Sequence, residues 1–100
     1  MPLQHVVLFK LKGEGGGGVV EAFDPLLAQL LATAPGVRSR ESAADLGLRP
    51  GNPRSYQRLI QLTFADTAAF RAYVDCAEHQ EFLKAIPDLV ETIASIQYDG

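Results

Sequence analysis

From Leu3 to Lys12 the chain carries apolar residues on both faces of one extended segment. Leu3, Val7, Phe9 and Leu11 share a side with His5, while Val6 and Leu8 lie opposite, among Gln4, Lys10 and Lys12. An antiparallel strand with one wet face alternates cleanly, so this strand predicts cover on both faces. Ser55 to Phe64 reads as a second strong strand. Tyr56, Arg58, Ile60, Leu62 and Phe64 form one face, and the other is the more polar Gln57, Leu59, Gln61 and Thr63. Between the two, Phe23, Leu26, Leu27, Leu30, Leu31 and Ala34 keep the spacing of a helix face. Pro25 is harmless only in a first turn, which predicts a start at Asp24, with Asp24 capping, or a kink there. Pro35 and Gly36 end the helix.

Val37 to Leu46 is a weaker, polar strand suited to a sheet edge, and Arg49 to Pro53 is a loop. Asp66 is placed to cap a helix bearing Phe70, Tyr73 and Val74. A further helical piece carries His79, Phe82, Leu83 and Ile86, and a last strand runs from Thr92 to Tyr98. The order β-α-β-β-α-β in a single domain, residues 1–100, defines the α+β ferredoxin-like plan. Its four-stranded antiparallel sheet has the first and third strands in the middle. Helices cover one face of such a sheet. The apolar residues on the other, Val6 and Leu8, predict a homodimer.

Composition narrows the function classes. With 47% hydrophobic and 21% charged residues the chain is an ordinary globular one, not a disordered one. No apolar run approaches the ~20 residues that span a bilayer, which argues against a membrane partner. A net charge of −3 argues against nucleic acid. The single Cys76 cannot form an internal disulfide, and the opening Met-Pro-Leu-Gln-His is not a cleavable leader, so a cytoplasmic location is expected. Gly13 to Gly18 spells G-x-G-x-x-G, but the dinucleotide site that uses this spacing needs a parallel βαβ unit. A flexible loop that tolerates shortening is expected instead.

Chemistry rests on few residues. A neutral imidazole, with an ordinary pKa of ~6.5, suits removal of a proton next to a carbonyl. His5 and His79 are the two candidates, Tyr73 is a candidate donor, and Arg58 is a candidate anchor for a substrate carboxylate or phosphate. Tyr73 and His79 are six positions apart, so a straight helix would turn them to different faces. Their convergence requires a break near Asp75 to Ala77.

The stretch Leu3-Gln4-His5-Val6-Val7-Leu8-Phe9-Lys10 resembles the opening of the stress-responsive A/B-barrel (Dabb) family. Phe70 to Phe82 resembles its second signature, Tyr-x-x-His-Pro-x-His-x-x-Phe, with Cys76 and Ala77 replacing the first His and the Pro. The resemblance implies a dimeric α+β barrel with two sheets packed face to face. Through the plant polyketide cyclases of the family it implies a cavity in which His79, Tyr73 and His5 promote an aldol cyclisation without organic cofactor. Arg58 and Leu27 stand where those enzymes place a pocket His and Tyr, and Phe23 and Phe82 would complete a substrate-binding wall. Some members hold a Mg²⁺ on main-chain carbonyls matching Leu31, Ala34 and Val37. Two functions stay open at this point. One is an enzyme or binder for a polyketide-like β-dicarbonyl ligand. The other is a non-enzymatic stress-linked dimer whose interior is filled by Leu27, Phe23 and Phe82.

Overall fold

The structure, a computed structural model, describes residues 1–100. Strand β1 spans Leu3–Leu11, α1 Val19–Thr33, β2 Val37–Ala44, β3 Arg58–Phe64, α2 Thr67–Asp75, α3 Ala77–Ala85 and β4 Val90–Asp99. The sheet order is β2-β3-β1-β4, and every neighbouring pair is antiparallel. This is the ferredoxin-like α+β plan, with β1 and β3 central as the apolar pattern required. No helix is long and apolar enough to cross a membrane.

The odd positions of β1 are buried under the helices, and the even ones only half-buried. On the covered face, Phe9 meets Phe23 of α1 and Phe82 of α3, with ring centroids 5.2 and 5.9 Å apart. Ile60, Leu62 and Phe64 of β3 complete this single core. On the other face Val6 lies across from Gln61 and Ile96, and Leu8 across from Leu59 and Ala94. Ile96 is 59% exposed. That face has an apolar centre and nothing from its own chain above it.

Strand β4 begins at Val90, earlier than the pattern predicted, because a register shift after Lys10 lets Leu11 pair with Val90. Helix α1 also departs from expectation. It starts at Val19, and Pro25 lies inside it. Pro25 cannot donate to the carbonyl of Glu21, but both residues are exposed and water can serve that carbonyl. Val19 and Val20 pack against the core and so repay the longer helix. Asp24 is therefore not a cap; it faces Arg58.

The glycine run is not slack. Lys12–Gly15 makes a tight turn, in which Glu14 adopts φ +56° and accepts a hydrogen bond from the Gly51 amide at 3.0 Å. Gly15 has φ +88°, and a Cβ there would stand 2.6 Å from Cγ2 of Val20. Gly15→Ala is expected to cost about 1–3 kcal/mol, a drop of at least ~4 °C in melting temperature. Gly17→Ala, whose Cβ meets nothing within 4 Å, should cost less. A Gly15→Ala protein that melts with the wild type would contradict this packing.

Candidate functional site

His5 projects from the covered face of β1 and is 8% exposed. Asp66 begins α2 as expected, accepting a hydrogen bond from the Ala69 amide at 2.9 Å. Residues three apart on that helix share a side, so Phe70 and Tyr73 both turn toward the sheet. Their ring centroids lie 4.9 and 6.2 Å from that of His5.

The required break is present. α2 stops at Asp75, Cys76 is extended (φ −70°, ψ 156°), and α3 starts at Ala77. No proline enforces it. The Cys76 thiol instead accepts the His79 amide at 3.4 Å, standing in for an N-cap oxygen. The new helix direction carries the His79 ring to 4.8 Å from the Tyr73 ring. Nδ1 of His79 is 2.9 Å from the Val74 carbonyl oxygen. A carbonyl only accepts, so Nδ1 carries the hydrogen, and the neutral ring keeps its lone pair on Nε2.

These side chains border one cavity of about 240 Å³ between sheet and helices. Val7, Ile60, Phe70 and Phe82 supply apolar wall, and His5, Tyr73, His79, Ser95 and Gln97 supply its polar groups. Drug-sized ligands occupy roughly 300–1,000 Å³, so this site suits a smaller molecule. No carboxylate, ammonium or guanidinium lines it. Burial pushes the His5 imidazole down to about 4, and nearby His79 adds to the effect, so His5 is neutral at neutral pH. Burial pushes the Tyr73 phenol well above its ordinary range, with Cys76 adding to it, so Tyr73 keeps its proton. The cavity thus has no carboxylate, ammonium or guanidinium in its wall and one fixed donor, Tyr73.

Phe82 borders this cavity, but the other three residues expected in its wall do not. Phe23 is buried against Phe9 and Phe82. Leu27 is a core residue that edges a separate groove, which it shares with Asp24 and Arg58. Arg58 lies on the predicted face of β3 but at the wrong end of it. His5 pairs with Leu62, whereas Arg58 pairs with Phe9. Its Nε and a terminal nitrogen hold both oxygens of Asp24 at 2.9 and 3.0 Å, and the other nitrogen donates to the Gln57 carbonyl at 2.8 Å. A guanidinium so engaged is not an anchor for a ligand in the His–Tyr cavity.

Two of the three carbonyls expected to hold Mg²⁺, those of Leu31 and Val37, are also engaged. The Arg40 guanidinium donates to Leu31 O through one nitrogen and to Val37 O, at 3.3 Å, through the other. Beside Ala34, the helix end thus receives its positive charge from the chain itself, which suits the negative end of the helix dipole. A divalent ion would have to displace a cation already bound, so these residues do not fit a metal centre.

Sequence reasoning missed Ser95 and Gln97. Their only signal is alternation along β4, which puts Ile93, Ser95 and Gln97 on one side, opposite Phe9, Val7 and His5 of β1.

A ferredoxin-like sheet under a broken helical layer, with a small His–Tyr cavity between them, defines the class of protein. The Stress responsive A/B Barrel Domain (Dabb) family matches residues 3–99, and the chain belongs to that family. No curated protein matches the sequence. Among solved structures, a dimeric ferredoxin-like protein of unknown function from Thermobifida fusca YX is 28% identical, with a TM-score of 0.79. The match covers 98% of this chain and 90% of that one. A Dabb family protein from Mesorhizobium loti MAFF303099 is 25% identical, also at 0.79, covering 99% and 96%. The hydroxynitrile lyase of Passiflora edulis is 19% identical at a TM-score of 0.76, covering 97% and 91%, a likeness of fold.

Proposed function

We propose that this protein is a homodimer that binds a small, uncharged β-dicarbonyl compound and moves a proton on it without an organic cofactor. The observation that carries the reading is the His79 ring, its Nδ1 on the Val74 carbonyl and its centroid 4.8 Å from that of Tyr73, with both residues bordering one cavity. Nε2 takes a proton from the carbon between the two carbonyls. The electron pair left behind moves onto a carbonyl oxygen, and the Tyr73 hydroxyl donates a hydrogen bond to the resulting enolate. Returned to carbon, the proton regenerates the ketone. If the ligand carries a third, more distant carbonyl and the enolate carbon attacks it instead, a C–C bond forms, the carbonyl π pair moves to that oxygen and the oxygen takes the proton, closing a ring.

The lack of charge in the cavity selects the ligand. With Arg58 tied to Asp24, a carboxylate would enter without a partner, at a cost of several kcal/mol. An ester or ketone meets no such penalty. A purely structural interior is disfavoured because, of Leu27, Phe23 and Phe82, only Phe82 borders the cavity. The bare sheet face supports the dimer, as do relatives described as dimeric. The lone cysteine supports a reducing, cytoplasmic setting. Titration of the labelled protein with ethyl acetoacetate should shift the His5, His79 and Tyr73 ring resonances saturably. Acetoacetate should bind at least ~10-fold more weakly, a difference of about 1.4 kcal/mol. Equal binding of ester and anion, or no shift with either, would contradict the proposal.

A further inference from the structure

We propose that Gln97 is a positioning residue, which from the edge strand β4 fixes His5 with its ring proton on Nε2 and so makes His5 a second hydrogen-bond donor in the cavity. The functional consequence rests on the proton-transfer reading above; the tautomer itself does not.

Gln97 is the register partner of His5 across the β1–β4 ladder. Its side-chain nitrogen is 2.9 Å from Nδ1 of His5. An amide NH₂ only donates, so Nδ1 must accept, and in a neutral imidazole the hydrogen then resides on Nε2. Ser95 Oγ, 3.4 Å from the same nitrogen, accepts from the same amide group. Every other element around His5 leaves the choice of tautomer open. β3 offers Leu62; α2 offers Phe70 and Tyr73; α3 offers His79. The titratable groups nearby are Tyr73 and His79, with Cys76 at the helix break, and no carboxylate borders the cavity.

The consequence is an opposition between the two histidines. The Val74 carbonyl fixes His79 with hydrogen on Nδ1 and a lone pair on Nε2. Gln97 fixes His5 the other way round. A reaction that removes a proton from carbon and builds charge on oxygen needs one acceptor and is helped by more than one donor, and His5 in this state adds a donor to that of Tyr73. Two rings in the same tautomeric state would duplicate one role. Gln97 lies on the outer strand and is exposed, so it can be changed without opening the core.

Imidazole-ring ¹H–¹⁵N spectra of the full-length, uniformly labelled protein test this without any ligand. At pH 7 the wild type should show His5 protonated on Nε2 and His79 on Nδ1. In Gln97→Glu the carboxylate accepts from Nδ1, which should move the His5 proton to that nitrogen and raise its titration midpoint by at least about one pH unit. Gln97→Leu, with neither donor nor acceptor, should give a mixture of His5 tautomers while the His79 signals stay in place. A wild-type His5 protonated on Nδ1, or a His5 spectrum identical in all three proteins, would overturn the proposal. Failure of ethyl acetoacetate to bind would count against the proposed function and leave this ring chemistry unaffected.

Discussion

His79→Ala is expected to lower protein-catalysed exchange of the α-protons of ethyl acetoacetate in D₂O by at least ~100-fold, the usual contribution of a positioned general base. No other group bordering the cavity offers a replacement lone pair in the same place. Tyr73 holds its proton, and Gln97 engages Nδ1 of His5. The loss should not come from unfolding. His79 is only partly buried, and its backbone amide, the group that the Cys76 thiol caps, survives in alanine. The stability change is expected within about 1 kcal/mol. Exchange rates followed by NMR, beside melting curves of both proteins, check the two halves of this expectation. A variant that folds and exchanges at the wild-type rate would leave binding as the only role of the cavity.

Val6→Lys is expected to abolish the dimer. Val6 sits on a central strand of the uncovered face, with Gln61 on one side and Ile96 on the other. A twofold interface repeats every substitution, so two ammonium groups enter one apolar patch. No acidic side chain is cross-strand to Val6, and desolvating an unpaired charge costs several kcal/mol. Sedimentation should show a wild-type dimer at micromolar concentration and a monomeric or aggregating variant. A wild type that sediments as a monomer, or a variant that stays dimeric, would remove the barrel assembly. The cavity is built from one chain, so a soluble monomeric variant should retain the His79 and Tyr73 ring signals.

What could be read from the sequence follows from what periodicity encodes. Alternation along β1 reports which residues face the helices and that the other face is not simply wet. That was enough for the topology and for His5 on the core side. Alternation does not report where along a strand a residue meets its neighbours. Alternation therefore places Arg58 on the correct face of β3, yet it lies at the far end from His5, because the register pairs His5 with Leu62. Gln97 was invisible for the same reason, since its contact with His5 spans 92 positions of sequence. The break between α2 and α3 is deducible only as a condition for Tyr73 and His79 to converge; the thiol that caps the new helix there has no sequence signature of its own. Pro25 signals a late helix start only in isolation; the packing of Val19 and Val20 against the core offsets its cost. The Arg40 contacts with Leu31 and Val37 leave no trace in a hydrophobic pattern, because they are made by a side chain curling back to main-chain carbonyls.

The central claim is that the His79–Tyr73 cavity moves a proton on an uncharged carbonyl compound. Its most direct test is the exchange of the α-protons of ethyl acetoacetate for deuterium at pH 7, with wild-type protein, with His79→Ala and with buffer alone. The account predicts exchange that rises in proportion to wild-type protein and falls at least ~100-fold in the variant. Wild-type exchange no faster than that of buffer, or equal in the two proteins, would contradict it.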